Sequence, residues 1–226
     1  MGKRGPKPKG KIKIKWSPNF AYAIGLIVTD GNLSPDGRHL NFTTKDYDLA
    51  QTYKICLEID NKIGLKSRAN EKEKKYYAVQ FGDVIFYRFL LSIGLIPAKS
   101  KTLEEIDIPE KYFFDFLRGV FDGDGYSYSY WDKRWRSSFM FYLGFCSASK
   151  IYTLWLRGKI KRHLGISGHI TKTNKKICYQ LKYSKYDAIK LVKKMYYSKK
   201  VTCLVRKRLK IEATLAIVSE RASGET

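Results

Sequence analysis

The chain has 226 residues, with 44 Lys and Arg against 21 Asp and Glu, a formal charge of +23, and it is 44% hydrophobic and 15% aromatic. That apolar content excludes a disordered chain and suffices for one large core or two small ones. No apolar run approaches the ~20 residues of a membrane-spanning helix, and the positive field points to a polyanionic partner, of which nucleic acid is the commonest.

Residues 1–15 hold seven basic residues and no acidic one, with two prolines and three glycines. They are expected to form a flexible arm that tracks phosphates. The absence of an apolar segment there argues against a secretory signal. The expected location is therefore intracellular, in the cytoplasm, nucleoid or an organelle matrix. Cys56, Cys146, Cys178 and Cys203 form no C-x-x-C pair and are expected to be reduced core residues. His39, His163 and His169 are scattered, which speaks against a zinc site.

The remainder looks like one unit written twice. The first copy opens with the apolar segment FAYAIGLIVTDG (20–31), then a turn and the alternating stretch HLNFTTK (39–45). DLAQTYKICLEI (48–59) has apolar residues at helical spacing. Two strand candidates, GLKSRAN and KYYAVQF, and the helical VIFYRFLLSIGL close the copy. The second copy runs in the same order from FFDFLRGVFDGDGY (113–126) to DAIKLVKKMYY. Each half is expected to be αββαββα, giving an α+β protein with pseudo-twofold symmetry inside one chain. The expected units are 16–98 and 113–218, joined by a linker at 99–112 and followed by a short tail at 219–226.

The opening segments share small residues at i, i+4: Ala21, Gly25 and Thr29 in one, Gly119 and Gly123 in the other. Interior helical glycine costs roughly 1 kcal/mol, so close approach of two helix backbones is the natural reason for it. Both segments end in Asp-Gly, at Asp30-Gly31 and Asp124-Gly125. The glycines are expected to cap the helices with positive φ. The aspartates then meet a negative helix end and each other, an arrangement that a hard divalent cation relieves. An EF-hand reading of the second segment fails because its twelfth loop position is Lys133.

The two segments resemble the LAGLIDADG helices of homing endonucleases in their double-motif, single-chain form, and the resemblance covers about residues 16–218. It implies saddle-like antiparallel sheets beneath two packed LAGLIDADG helices. It further implies a site-specific endonuclease that cuts both strands of a long asymmetric duplex across the minor groove. Asp30 and Asp124 would be metal-binding catalytic acids, with the carbonyls of Thr29 and Gly123 completing the coordination of Mg²⁺. Mn²⁺ would substitute, and Ca²⁺ would bind without efficient cleavage. Val28 and Thr29 depart from the motif, whereas Asp122 is retained and is expected to make a structural hydrogen bond. Thr44, Lys45, Ser147, Lys99 and Lys101 match the outer shell of polar and basic residues. The second-half counterpart of the lysines is left open among Lys199, Lys200 and Lys207.

The open sheet faces are expected to carry the alternating polar residues. In the first half these are Arg38, Asn41, Thr43, Lys66, Arg68, Lys75, Tyr77 and Gln80. In the second they are Arg134, Arg136, Lys172, Asn174, Gln180 and Lys182. Arg, Asn and Gln read base edges and Lys neutralises phosphates. Two such faces span on the order of 20 base pairs, and one chain is expected to act as a monomer. The alternatives are an RNA maturase that assists intron splicing, with intron RNA as its partner, and a DNA-binding regulator on the same scaffold.

Overall fold

The computed structural model describes residues 10–67, 73, 75–135, 138–173 and 178–222. Arg68, Arg136 and Asn174 of the expected DNA face lie outside the described residues, as do residues 1–9 of the arm.

The first half runs α1 (Pro18–Asp30), β1 (Gly31–Leu33), β2 (His39–Thr44), α2 (Tyr47–Leu57), β3 (Ile63–Lys66), β4 (Tyr76–Gly82) and α3 (Val84–Ser92). The second runs α4 (Phe113–Asp124), β5 (Gly125–Trp131), β6 (Phe139–Ser147), α5 (Lys150–Leu164), β7 (His169–Thr173), β8 (Cys178–Ser184) and α6 (Lys185–Met195). The sheets are antiparallel with orders β1-β2-β4-β3 and β5-β6-β8-β7, the same topology twice. The expected αββαββα halves are present. A further helix, α7 (Val205–Ala222), follows α6, runs into the expected tail at 219–226 and was not foreseen.

Local chemistry explains the element ends. Ser17 accepts a hydrogen bond from the Phe20 amide at 3.1 Å, and Pro18 occupies the first position of α1. In β2, Leu40, Phe42 and Thr44 point into the core while Asn41 and Thr43 stay half-exposed. This period of two lays one face of the sheet on the helices and leaves the other bare.

The halves meet where α1 packs on α4. A Cβ on Gly119 would stand 2.1 Å from the Tyr22 carbonyl oxygen, and one on Gly25 would stand 2.3 Å from that of Phe116. The two backbones touch at both glycines, which answers the cost of placing them inside helices. Gly31 and Gly125 depart from expectation. Their φ angles are −84° and −78°, so neither is a left-handed cap. Each helix runs directly into a strand, and glycine is needed because a Cβ would come within 2.6 Å of the Ile27 and 2.5 Å of the Phe121 carbonyl oxygen.

Two other expectations are corrected by packing. Residues 10–15 are not a free arm: the Lys11 and Ile12 amides donate to Asp83 Oδ2 at 2.6 and 3.0 Å, and Ile12 is buried. Asp83 caps α3 through its other oxygen, so one carboxylate serves both segments. The linker is not merely a spacer, since Leu103, Ile106 and Ile108 are buried in the core. Of the cysteines only Cys56 is buried; Cys146, Cys178 and Cys203 are half-buried.

Candidate functional site

The packing of α1 on α4 brings Asp30 and Asp124, the last residues of both helices, to one edge of the interface. Gly123 lies so close that a Cβ there would stand 3.1 Å from Asp30 Oδ2. Burial, and then the charge of Asp124, push the Asp30 carboxyl up from 3.8 to about 7, although Lys207 and Lys99 pull it down. Asp124 is raised too, by burial first. Asp124 is exposed as a residue, yet enough protein lies around its carboxyl to disfavour the charged form. Two carboxylates that resist ionisation together favour a cation between them.

A lysine stands behind each aspartate. Buried Lys99 donates to the carbonyl of Gly31, the residue after Asp30. Lys207 donates to the carbonyl of Gly125, the residue after Asp124, at 2.6 Å and to that of Phe121 at 2.7 Å. Burial lowers Lys99 to about 8 despite both aspartates, and it lowers Lys207 as well. The site is thus two aspartates and two lysines related by the pseudo-twofold. Of the three late lysines left open, Lys207 is the one that stands beside the aspartates, whereas Lys199 and Lys200 are exposed. Lys101 is also exposed, two residues beyond the lysine that reaches the site.

The segment carrying Lys207 is fixed by two acids. Asp122 accepts from the Tyr22 hydroxyl at 2.8 Å and from the Leu204 amide at 2.7 Å through Oδ2, while its buried Oδ1 has no partner. Burial raises Asp122 to about 6. Arg206 makes a two-pronged pair with Asp46, both contacts at 2.7 Å. The structural hydrogen bond expected of Asp122 is present. The part of Arg206 was invisible in sequence, because Asp46 lies 160 positions away.

Thr44 and Ser147 occupy equivalent places and do the same local job. Thr44 Oγ1 accepts from the Asp46 amide at 3.2 Å, and Ser147 Oγ from the Ser149 amide at 3.1 Å, each at the start of a helix. Lys45 is exposed, its Nζ 5.5 Å from the Tyr76 ring centre. Asp30, Thr44, Lys45, Asp46 and Arg206 line a cleft of about 750 Å³ on the first-half side. Thr29 turns its hydroxyl back to the Leu26 carbonyl at 3.0 Å, and Lys207 approaches the Gly123 carbonyl at 3.4 Å.

Register sorts the expected DNA-facing residues. Asn41 pairs with Asn32 and Gln80, and Lys66 with Tyr76, all on the bare face of the first sheet. Thr43 lies on it too, opposite Ala78. Tyr77 does not: it pairs with core-facing Thr44, and its ring packs edge-on against Tyr47 of α2 at 5.2 Å. In the second sheet Gln180 and Lys182 are on the bare face with Thr171 and His169. Lys172 pairs with Tyr179, two residues along from the Ile170–Leu181 core pair, and so belongs to the helix side. Both corrections follow from a one-residue shift of strand phase, which flips every side chain. Arg38 and Arg134 sit in the two β-hairpin turns; Arg134 is paired with Asp132, and Lys75, just before β4, with Glu73.

Among the described residues no group of three or more His, Cys, Asp or Glu side chains stands together as a metal cage. Two carboxylates plus backbone and phosphate oxygens remain a donor set suited to Mg²⁺, which keeps few protein ligands. The crowding of Asp30 against Gly123, with the charge of Asp124 beside it, fits such an ion. Among the described residues no helix is long and apolar enough to cross a membrane.

No family model matches the sequence. An uncharacterised protein of Methanocaldococcus jannaschii is 30% identical over 124 residues, 51% of this chain and 41% of that protein, so the chain spans about two fifths of the curated relative's length. Full-length DUF199/WhiA from Thermatoga maritima matches with a TM-score of 0.59 at 16% identity, over 92% of this chain and 63% of its own. The LAGLIDADG meganuclease I-AabMI bound to uncleaved DNA gives 0.62 at 12% identity, over 92% of both chains. I-DmoI in complex with DNA and Mn gives 0.52 at 20% identity, over 80% of this chain and 97% of that one. The chain has the LAGLIDADG fold, shared by homing endonucleases and by DUF199/WhiA.

Proposed function

We propose that this chain is a divalent-metal-dependent endonuclease that hydrolyses phosphodiester bonds in a long, asymmetric duplex DNA target. The observation that carries the proposal is the doubled acid–lysine pair. Asp30 and Asp124 end adjacent helices, and Lys99 and Lys207 hold the carbonyl of the residue that follows each. A protein that only bound DNA would gain nothing from two crowded carboxylates facing phosphates.

In this reading Asp30 and Asp124, with the carbonyls of Thr29 and Gly123, hold Mg²⁺ or Mn²⁺. The ion supplies Lewis-acid charge at the scissile phosphate and at the attacking water. Lys99 and Lys207 add fixed positive charge where the transition state becomes more negative. Lys99, at about 8, can also hold or release a proton near neutral pH. The bare sheet faces seat the duplex, with Asn41, Gln80 and Lys66 from one half and Gln180 and Lys182 from the other. The excess of 44 basic over 21 acidic residues supplies the phosphate attraction.

A binding-only role on the same fold, as regulator or RNA maturase, is the alternative. The test is cleavage of a duplex target selected from a random library, with Mg²⁺ present or chelated. Asp30→Asn and Asp124→Asn should each lose double-strand cleavage while duplex binding persists or tightens. Full Mg²⁺-dependent cutting by the double variant would falsify the catalytic assignment. Binding without cutting by the parent protein would leave the regulator reading.

A further inference from the structure

The two bare sheet faces, alike in topology, differ in chemistry. In the first half, Asn32, Asn41 and Gln80 form a row of amides across β1, β2 and β4. The equivalent row of the second half is Tyr126, Gly144 and Lys182. From Tyr126 a ladder of tyrosines extends outward along β5 and β6. The rings of Tyr126 and Tyr128 lie 6.1 Å apart at 13°, and those of Tyr128 and Tyr130 lie 6.2 Å apart at 6°. Tyr142, on the neighbouring strand, stacks on Tyr128 at 5.0 Å. Lys182 Nζ stands 5.0 Å from the Tyr142 ring centre. Gly144 makes room for the inner end, since a Cβ there would come within 2.4 Å of the Tyr126 ring.

Stacking of the rings on one another decides what they can offer. A base inserted between two rings needs roughly 7 Å, twice a van der Waals contact, and these gaps are already filled at 5.0–6.3 Å. The ladder is therefore not a platform for unpaired bases. It presents hydroxyls and apolar ring edges instead, and Tyr128 and Tyr130 remain 36% and 45% exposed. Such an apolar strip on a basic protein is a contact surface rather than a core. Its repeat of about 6.2 Å is close to two base-pair steps of roughly 3.4 Å each. In the major groove the apolar feature that a ring edge meets is the 5-methyl group of thymine.

We propose that Tyr128, Tyr130 and Tyr142 are specificity-determining residues that read thymine methyl groups in one half of a duplex target, whereas the amide row of the first sheet reads the other half. This inference rests on the DNA reading given above, with duplex DNA as occupant of the face.

The experiment starts from duplexes selected by the full chain out of a randomised library spanning two helical turns. Each thymine of the selected sequence is then replaced by deoxyuridine, which deletes the methyl and keeps every hydrogen bond. At fixed salt, replacement in the half contacted by the second sheet should weaken binding about fourfold per buried methyl. Replacement in the other half should change it little. The Tyr128→Ser, Tyr130→Ser protein should lose this sensitivity, and the Asn41→Ala, Gln80→Ala protein should keep it. Tyr130→Thr, at the most exposed rung, gives the same readout with little demand on stability. Tyr128→Phe should retain the methyl effect, because the ring edge survives. Sequence-specific binding that is indifferent to deoxyuridine in both halves, or a methyl effect unchanged in the Tyr→Ser and Tyr130→Thr proteins, overturns this inference and leaves the DNA reading intact. Failure of the parent to select any duplex overturns both.

Discussion

Asp30→Asn is expected to make the metal-free protein more stable while removing its cutting activity. The carboxyl of Asp30 rises from 3.8 to about 7 in the fold because it is buried and faces Asp124. A folded state that holds the proton more tightly than the unfolded chain loses stability as pH rises, here between about 4 and 7. Fully ionised, the group costs the fold roughly 4 kcal/mol. Asparagine keeps the shape and cannot ionise, so the variant escapes that cost. Between pH 5 and pH 8 the stability gap between variant and parent should widen by roughly 2–3 kcal/mol in favour of the variant. Urea unfolding in the presence of a chelator, at both pH values, measures this gap through the midpoint at constant slope. Added Mg²⁺ should then stabilise the parent at pH 8 and leave the variant nearly unchanged. A gap that stays constant or narrows as pH rises would refute the claim that Asp30 sits in a site that resists its charge.

Gly119→Ala drives a methyl to within 2.1 Å of the Tyr22 carbonyl, where backbone lies on both sides. It should destabilise by about 3 kcal/mol, whereas Gly158→Ala, in α5 with open space around the new atom, should stabilise by about 0.5–1 kcal/mol; thermal unfolding of the pair measures both. Lys207→Met keeps the apolar stem and deletes the charge beside Asp124. Cleavage should fall by about 10²-fold with duplex affinity nearly unchanged, while exposed Lys200→Met leaves both as they were; equal losses in the two variants would show that Lys207 does no more than an ordinary phosphate contact.

Much of the architecture was written locally. The small residues at i, i+4 in α1 and α4, the terminal Asp-Gly of each, and the period-two strands specify the elements, because helix and strand periodicities express which face each segment buries. Asp30 and Asp124 were legible for the same reason: an acid at the negative end of a glycine-studded helix demands an explanation in charge.

Phase and partnership were not legible. Tyr77 and Lys172 read as groove-facing because a stretch with polar residues at both parities fixes no phase, and only pairing across to Thr44 and Tyr179 set which way they point. The tyrosine ladder is not legible in sequence, since stacking between β5 and β6 exists only once Tyr128 and Tyr142 are paired. Sequence also could not choose among the late lysines. Lys207 is selected by Asp122 anchoring Leu204 and by Asp46 holding Arg206, contacts that span 82 and 160 positions. The sequence by itself determined which segments form the repeat and which acids end its helices, because those are properties of neighbours along the chain. Only the tertiary structure decided which basic groups stand behind those acids and what each sheet shows to a groove, because those depend on distant backbones meeting in one register.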